Sequence, residues 1–404
     1  MPFCDVGKYQ KGKENYGVKI FYRRYGHGST KVLLIIGLAG THDSWGPQVK
    51  GLTGSHEPND DVDGTVAVDR SVDGGDGDGE EVQGGEGIEV CCFDNRGMGR
   101  SSVPTRKSEY TTVSMARDAL ALLDHLGWKK AHVFGHSMGA MIACKLAALA
   151  PERLSSLALL NATGGGFECF PKLDRKTLSV AIRFLRAKTP EERADVDLDT
   201  HYTKEYLDEY VGSCTRRSIL YQEYVKGITS TGMQSSYGFE GQVNACWTHK
   251  LTSKELETIR TSGFFVSVIH GRYDIIAQVS HGRRLAEKLR PVSRMIELHG
   301  GHLVSHERPV EVNEALTELI RSSESNVSPQ QWSSLPINRT EILSSGLSIS
   351  SSEVDIEQES SLAYIYDALA KIRLSFLYFV GLFMMGFKHM KVAFKRARVE
   401  PSHS

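Results

Sequence analysis

Short apolar runs rich in β-branched residues alternate along this chain with longer segments in which apolar and polar residues mix. Apolar runs of about four to eight residues are typical of buried strands, whereas apolar positions three or four residues apart are typical of amphipathic helices. The runs that predict strands lie at 18–25, 31–36, 89–93, 131–135, 154–161, 264–270 and 293–298. The predicted helices lie at 111–126, 140–149, 279–289 and 309–320. This alternation predicts an α/β fold with a doubly wound, mostly parallel sheet.

The stretch 164–263 interrupts the alternation, because it contains helical segments but no convincing core strand. Its predicted helices lie at 176–187, 204–211 and 215–227. We interpret it as a helical cap inserted into a core formed by residues 1–163 and 264–321. Such a cap would supply the substrate pocket and exclude water.

Two further regions differ from the core in composition. Residues 51–87 are rich in Asp, Glu and Gly and nearly free of aromatic residues, which predicts a disordered acidic surface insertion. Its DGGDGDGEE run does not meet the register of a calcium loop, so a solvated loop is the preferred interpretation. Residues 322–361 are rich in Ser, which predicts a disordered linker.

The C-terminal tail, residues 362–404, brings aromatic and apolar residues back between basic flanks. Its apolar centre, LSFLYFVGLFMMGF, is shorter than the ~20 residues needed to span a bilayer. The pattern favours an amphipathic helix that binds a membrane surface through residues 362–398. The alternative is a helix that docks on the core or on a partner.

Charge and cysteine content narrow the class of protein. The 48 Lys and Arg residues balance 49 Asp and Glu residues, so the net charge of −1 gives no general attraction to nucleic acid. Seven cysteines without paired spacing, and an N-terminus without an apolar signal segment, favour an intracellular, cytoplasmic protein with reduced thiols. The oligomeric state stays open.

The sequence AHVFGHSMGAMIACKLAAL predicts a strand, a sharp turn and a helix, with Ser137 at the turn. A serine at such a strained turn projects its hydroxyl from the sheet, and Gly135 and Gly139 leave room for it. The Met138 N–H, at the helix N-terminus, is then placed to stabilise an oxyanion.

A serine nucleophile needs a base and a group that orients the base, and these should lie at the carboxyl ends of later strands. Asp274 and His302 follow the two last predicted strands in this way. The order Ser137, Asp274, His302 is the order found in α/β-hydrolases. His299 is the closest competitor of His302, and Asp94 is the rival of Asp274.

With these residues the chain resembles the α/β-hydrolase superfamily, in particular its single-cap esterase, haloperoxidase-like and aminoacrylate-hydrolase-like group. The motifs that carry the resemblance, from about residue 17 to 321, are GLAG, DNRGMGRS, GHSMG, QVNACWTHKL, HGRYD and GGH. It implies that the Leu38 N–H joins that of Met138 in an oxyanion hole. Gly37, in the same loop, lets the backbone approach a substrate closely. Relatives often have His before this glycine and Pro at the position of Ala277, whereas this chain has Ile36 and Ala277.

These residues together predict a serine hydrolase that cleaves a carboxylic ester, with a small-molecule ester or a lipid as substrate. No metal is expected, because no cluster has ligand spacing, and no nucleotide cofactor, because the Gly37 loop lacks G-x-G-x-x-G. A ligand receptor or interaction module with slow or vestigial hydrolysis is the alternative of another class. Thioester, amide or carbon–carbon bond hydrolysis is the alternative within enzymes.

Overall fold

The computed structural model describes residues 2–9, 17–59, 87–169, 175–325 and 327–335. The chain divides into two units, Met1–Ile337 and Asn338–Ser404, and the second unit lies outside the described residues. The predictions for residues 60–86, for most of the Ser-rich linker and for the C-terminal tail concern residues outside the described ranges. No helix in the described ranges is long and apolar enough to cross a membrane.

One sheet of eight strands organises the first unit. The strands of the described residues are β1 (Phe3–Asp5), β2 (Lys19–Tyr25), β3 (Thr30–Ile35), β4 (Ile88–Phe93), β5 (Ala131–His136), β6 (Leu154–Leu160), β7 (Tyr210–Val211), β8 (Cys214–Thr215), β9 (Phe265–Gly271) and β10 (Ser293–Leu298). The eight-stranded sheet has the order β1-β2-β4-β3-β5-β6-β9-β10. From β4 to β10 all neighbours are parallel, whereas β2 is antiparallel to β1 and β4. The predicted doubly wound, mostly parallel sheet is confirmed.

Helices cover both faces of this sheet. They are α1 (Gly46–Thr53), α2 (Thr112–His125), α3 (Met138–Leu149), α4 (Arg175–Arg186), α5 (Pro190–His201), α6 (Lys204–Asp208), α7 (Arg216–Thr231), α8 (Ser236–Thr248), α9 (Ser253–Thr261), α10 (Val279–Lys288), α11 (Val304–Glu307), α12 (Pro309–Glu324) and α13 (Pro329–Ser334). Side chains alternate between the faces along a strand: Leu33 belongs to a core cluster that includes residues of α2, α3 and α10, and Leu34 belongs to one that includes residues of α1 and α12. Strands buried on both faces explain the continuous apolar runs.

Helices α4 to α9 lie between β6 and β9, where the sequence predicts the cap. Helix α5 was missed, although Thr189 and Glu192 form a capping box at its start. The predicted helix 204–211 is too long: α6 ends at Asp208, and β7 pairs with β8 across a turn in which Gly212 has a φ of 65°. Tyr and Val favour strand there, and only the glycine accepts the positive φ without strain.

The boundaries of two predicted disordered regions were wrong. The insertion was expected from residue 51, but α1 continues to Thr53, and the Asn59 backbone N–H donates to the carbonyl of Arg24 at 2.7 Å. The linker was expected from residue 322, but α12 reaches Glu324 and α13 follows. In α13 the Trp332 side chain is fully buried, and its indole N–H donates to the carbonyl of Val266 at 3.1 Å.

Candidate active site

Ser137 occupies the turn between β5 and α3 with φ 55° and ψ −119°, a strained conformation for a residue with a side chain. A Cβ on Gly135 would lie 2.3 Å from the carbonyl oxygen of Gly139, and a Cβ on Gly139 would lie 2.0 Å from that of Ile35. Both distances are far below van der Waals contact. The strand, turn and helix can therefore pack this tightly only with glycine on each side of Ser137.

The structure brings the three predicted catalytic side chains into one hydrogen-bonded line. Asp274 follows β9 and His302 follows β10, so both lie at the carboxyl edge of the parallel strands. Nδ1 of His302 lies 2.8 Å from Oδ2 of Asp274, and Nε2 of His302 lies 3.1 Å from Oγ of Ser137. Because the carboxylate only accepts, Nδ1–H of His302 donates to it, and the Nε2 lone pair faces the serine hydroxyl.

The Asp274 carboxylate is buried and fully hydrogen-bonded. Its Oδ1 accepts the backbone N–H groups of Ile276 and Ala277, each at 2.8 Å. A proline at position 277 would have no N–H to donate, so this hydrogen bond depends on a residue other than proline. Burial raises the pKa of Asp274, but the charge of His302 and the hydrogen bonds from His302 and Asn161 outweigh burial and lower it to about 2.

Sequence reasoning missed Asn161, which it placed at the end of a strand. The residue follows β6 with a φ of 48°, a conformation that asparagine tolerates better than most side chains. Its Nδ2 donates to Oδ2 of Asp274 at 2.7 Å and to the carbonyl of Gly301 at 3.2 Å. Asn161 therefore joins the loop that carries Asp274 to the loop that carries His302.

Two backbone N–H groups lie unbonded at the turn. Within the described part of the chain, neither the Leu38 nor the Met138 N–H has a hydrogen-bond acceptor. The two loops are in contact, since a Cβ on Gly37 would lie 3.0 Å from the Cβ of Ser137. The buried residue Ile36, where relatives often have His, is held through its carbonyl, which accepts from Nδ2 of Asn95 at 2.8 Å.

A fully buried cap residue, Gln242 of α8, anchors the rest of this loop. Its Oε1 accepts the Ala39 N–H at 2.9 Å, and its Nε2 donates to the Arg96 carbonyl at 3.0 Å. Nε2 of Gln234 donates to the same Oε1 at 3.0 Å. The position lies in the QVNACWTHKL motif, but no pattern in the sequence assigns it this contact. The cap thus holds the loop that carries the Leu38 N–H.

The competing histidines and Asp94 have other partners. His136 donates through Nε2 to the carbonyl of His302 at 2.7 Å, and burial together with the charge of His302 lowers its pKa to about 3. Nδ1 of His299 accepts from Arg308 at 3.3 Å. Asp94 accepts the N–H groups of His42 and Arg100 at 2.8 and 2.9 Å, so it organises its own turn. None of these residues bonds to Ser137.

His201, the last residue of α5, is a third residue that the sequence analysis did not identify. Its ring lies 6.3 Å from that of His302, and the two planes are 28° apart. Its carbonyl accepts the Leu303 N–H at 2.9 Å. Burial and then the charge of His302 lower the pKa of His201 well below its usual range. A neutral imidazole from the cap therefore flanks His302.

The chain is similar to proteins that carry the alpha/beta hydrolase fold, whose family model matches residues 31–309. It is 30% identical over 174 residues to a protein from Azorhizobium caulinodans named as a carbamate hydrolase, RutD, covering 43% of this chain and half the length of that relative. It is 29% identical over 240 residues to a protein from Mycobacterium tuberculosis named as a non-heme bromoperoxidase, BpoC, covering 58% of this chain and 84% of that one. The solved enol-lactonase from Burkholderia xenovorans superposes with a TM-score of 0.56 at 22% identity, over 76% of this chain and 97% of that one.

Proposed function

Because the chain belongs to the alpha/beta hydrolase fold family, we propose that it is a serine hydrolase that cleaves a carboxylic ester through an acyl-enzyme. One observation carries the proposal: the line from Asp274 through His302 to Ser137 lies beside two unbonded backbone N–H groups. A base that receives a serine proton and a pair of donors that receives a carbonyl oxygen are what acyl transfer needs.

In the acylation step, Oγ of Ser137 attacks the carbonyl carbon while Nε2 of His302 takes the hydroxyl proton. The Leu38 and Met138 N–H groups stabilise the negative charge that develops on the carbonyl oxygen. The bond to the leaving oxygen then breaks, and His302 gives its proton to the departing alcohol. The acyl group remains on Ser137.

In the deacylation step, His302 takes a proton from a water molecule that attacks the acyl carbon. The acid leaves, and the proton returns to Ser137. Throughout both steps Asp274, whose pKa is lowered to about 2 by His302 and its hydrogen bonds, stabilises the imidazolium and fixes its orientation. The cap residues His201 and Gln242 contact His302 and the Ala39 backbone, which supports a role of the cap in forming the acyl pocket and excluding water.

The choice of an ester rests on the family and on solved neighbours. A protein with the name of an esterase, from Thermogutta terrifontis, and the enol-lactonase share this fold. Carbamates and thioesters also present a planar carbonyl group to the serine. The test below includes both, because one relative is named as a carbamate hydrolase.

The test is hydrolysis of p-nitrophenyl esters of increasing chain length, with a matched carbamate and thioester. We expect Ser137→Ala and His302→Ala to lower kcat by at least about 10³-fold. His299→Ala, three residues from His302, is the matched control and should keep wild-type kcat. A folded wild-type chain that hydrolyses none of these substrates would overturn the proposal and favour a receptor.

We also propose, from sequence alone, that residues 362–398 bring the enzyme to a membrane surface. The proposal rests on the aromatic and basic composition of that segment. It would place the hydrolase beside ester substrates that partition into lipid.

A further inference from the structure

A chain of hydrogen bonds links His201 in the cap to a backbone carbonyl in the core. Nδ1 of His201 lies 3.1 Å from Oη of Tyr224, which lies 3.2 Å from Oη of Tyr202. The Tyr202 hydroxyl lies 3.3 Å from Nδ1 of His306, and Nε2 of His306 lies 2.7 Å from the carbonyl oxygen of Ser44. Two tyrosine hydroxyls lie between two imidazole rings, and each of these groups can donate or accept, so the bonds among them have two possible directions until one end is fixed.

The Ser44 carbonyl fixes the direction, because it can only accept. Nε2–H of His306 must therefore donate to it, and burial lowers the pKa of His306, which keeps the ring neutral and leaves Nδ1 as an acceptor. Tyr202 must then donate to His306, and the oxygen of Tyr202 accepts from Tyr224. The oxygen of Tyr224 is left to accept from Nδ1–H of His201. A neutral His201 consequently has a lone pair on Nε2.

This Nε2 has no partner among the described residues, and it is not one of the buried unpaired atoms. It is an accessible hydrogen-bond acceptor on a ring that lies 6.3 Å from that of His302. The hydroxyls of Tyr224 and Tyr202 are already engaged in the hydrogen-bond chain, and Tyr202 belongs to an apolar cluster with Leu198, Leu207 and Leu303. An acceptor in such surroundings favours a ligand that carries a donor at the matching position.

The position beside His302 identifies the part of the substrate concerned. In an ester hydrolase the proton on His302 goes to the leaving oxygen, so groups that flank His302 border the leaving alcohol. We propose that Nε2 of His201 accepts a hydrogen bond from a second hydroxyl group on the leaving alcohol, so that the enzyme selects esters of diols and polyols. This inference rests on the proposed ester hydrolysis and names its substrate class.

The test compares 2-hydroxyethyl butanoate with 2-methoxyethyl butanoate, in which a methyl group replaces the donor hydrogen. Sites built to bind a substrate hydroxyl discriminate strongly against analogues without it. We expect wild type to prefer the hydroxyethyl ester by about tenfold or more in kcat/KM. His201→Phe keeps a ring but removes the acceptor, and should bring the ratio close to one. His201→Gln offers an amide oxygen and should restore part of the preference.

Tyr224→Phe tests the hydrogen-bond chain itself, because it removes the oxygen that accepts from Nδ1–H and frees the other tautomer. It should lower the preference, whereas Tyr221→Phe, on the same helix and outside the chain, should keep it. Labelling of Ser137 by a fluorophosphonate in wild type reports the proposed function separately. If Ser137 is labelled but the two esters are hydrolysed at equal rates, this inference is overturned and the proposed function stands. If the protein shows no labelling and no hydrolysis, both are overturned.

Discussion

Gln242 offers a sharp test of how the cap supports catalysis. In Gln242→Met the side chain keeps its volume but loses both polar atoms. The Ala39 N–H and the Arg96 carbonyl are then left without the partners that the structure gives them. Gln234 retains its other bond, to the Gly97 carbonyl at 2.9 Å. The change therefore removes one anchor of the Leu38 loop and leaves the catalytic side chains untouched.

The magnitude follows from the two orphaned groups. Each buried polar group without a partner costs about 1–3 kcal/mol, so the free energy of unfolding should fall by roughly 2–6 kcal/mol. Removing one donor of an oxyanion hole lowers kcat by about 10²–10³-fold. Here the Leu38 N–H remains and only its support is lost, so we expect a smaller fall in kcat, about 10- to 100-fold, with little change in KM.

Urea unfolding and steady-state kinetics on a p-nitrophenyl ester measure both effects. Val243→Ala, the adjacent residue with a side chain exposed on the same helix, is the matched control. Gln242→Glu adds a pH readout. A protonated carboxyl group can still donate to the Arg96 carbonyl, as the amide does, whereas an ionised carboxylate has no proton to donate and its oxygen is repelled by that carbonyl oxygen. Its kcat relative to wild type should therefore fall from pH 5 to pH 8. A Gln242→Met variant that is less stable but has wild-type kcat would refute the reasoning.

Three further predictions follow from other parts of the chain. Asn161→Ala removes a donor from Asp274 and should lower kcat about tenfold with KM unchanged; an unchanged kcat would contradict its positioning role. Burial lowers the pKa of His132 to about 4 and that of His249 to about 3, and burial together with the charge of His302 lowers that of His136 to about 3. Because these histidines titrate at a higher pH in the unfolded state, that state binds more protons than the folded state below about pH 6.5. From pH 7 to pH 5 the free energy of unfolding, measured by urea unfolding, should therefore fall by roughly 2 kcal/mol for each of the three histidines. A free energy of unfolding that is the same at both pH values would refute this prediction. For the tail, the full chain should sediment with anionic lipid vesicles and a Phe376→Ser/Phe379→Ser/Phe383→Ser variant should not; equal sedimentation would contradict the membrane proposal.

The sequence contains enough local information to predict the sheet and the proximity of Ser137, Asp274 and His302. Ser137, Asp274 and His302 each follow a buried apolar strand, and strands of one parallel sheet end at the same edge. Their proximity therefore depends on topology, which the alternation of strands and helices indicates. The need for glycine at position 135 is similarly local, because its close contact is with the backbone of Gly139 in the same turn, whereas Gly139 contacts Ile35 on the neighbouring strand β3.

Asn161, Gln242 and His201 could not be found in the same way. Each acts through a contact with a residue far along the chain, such as Gln242 with Ala39 or His201 with His302. Nothing in the spacing of a glutamine in a cap helix encodes which loop it will meet. The ordered segment around Trp332 was missed for the same reason: its composition predicts a linker, but one buried tryptophan fixes it to the core.

The most direct test of the central claim is to map the site of covalent modification. Wild-type protein would be treated with a fluorophosphonate probe, digested, and the modified peptide identified by mass spectrometry, beside His302→Ala and His299→Ala. Our account predicts a single adduct on Ser137, formed at least about 10³-fold more slowly in His302→Ala and at the wild-type rate in His299→Ala. An adduct on another residue, or equal rates in the two histidine variants, would contradict it.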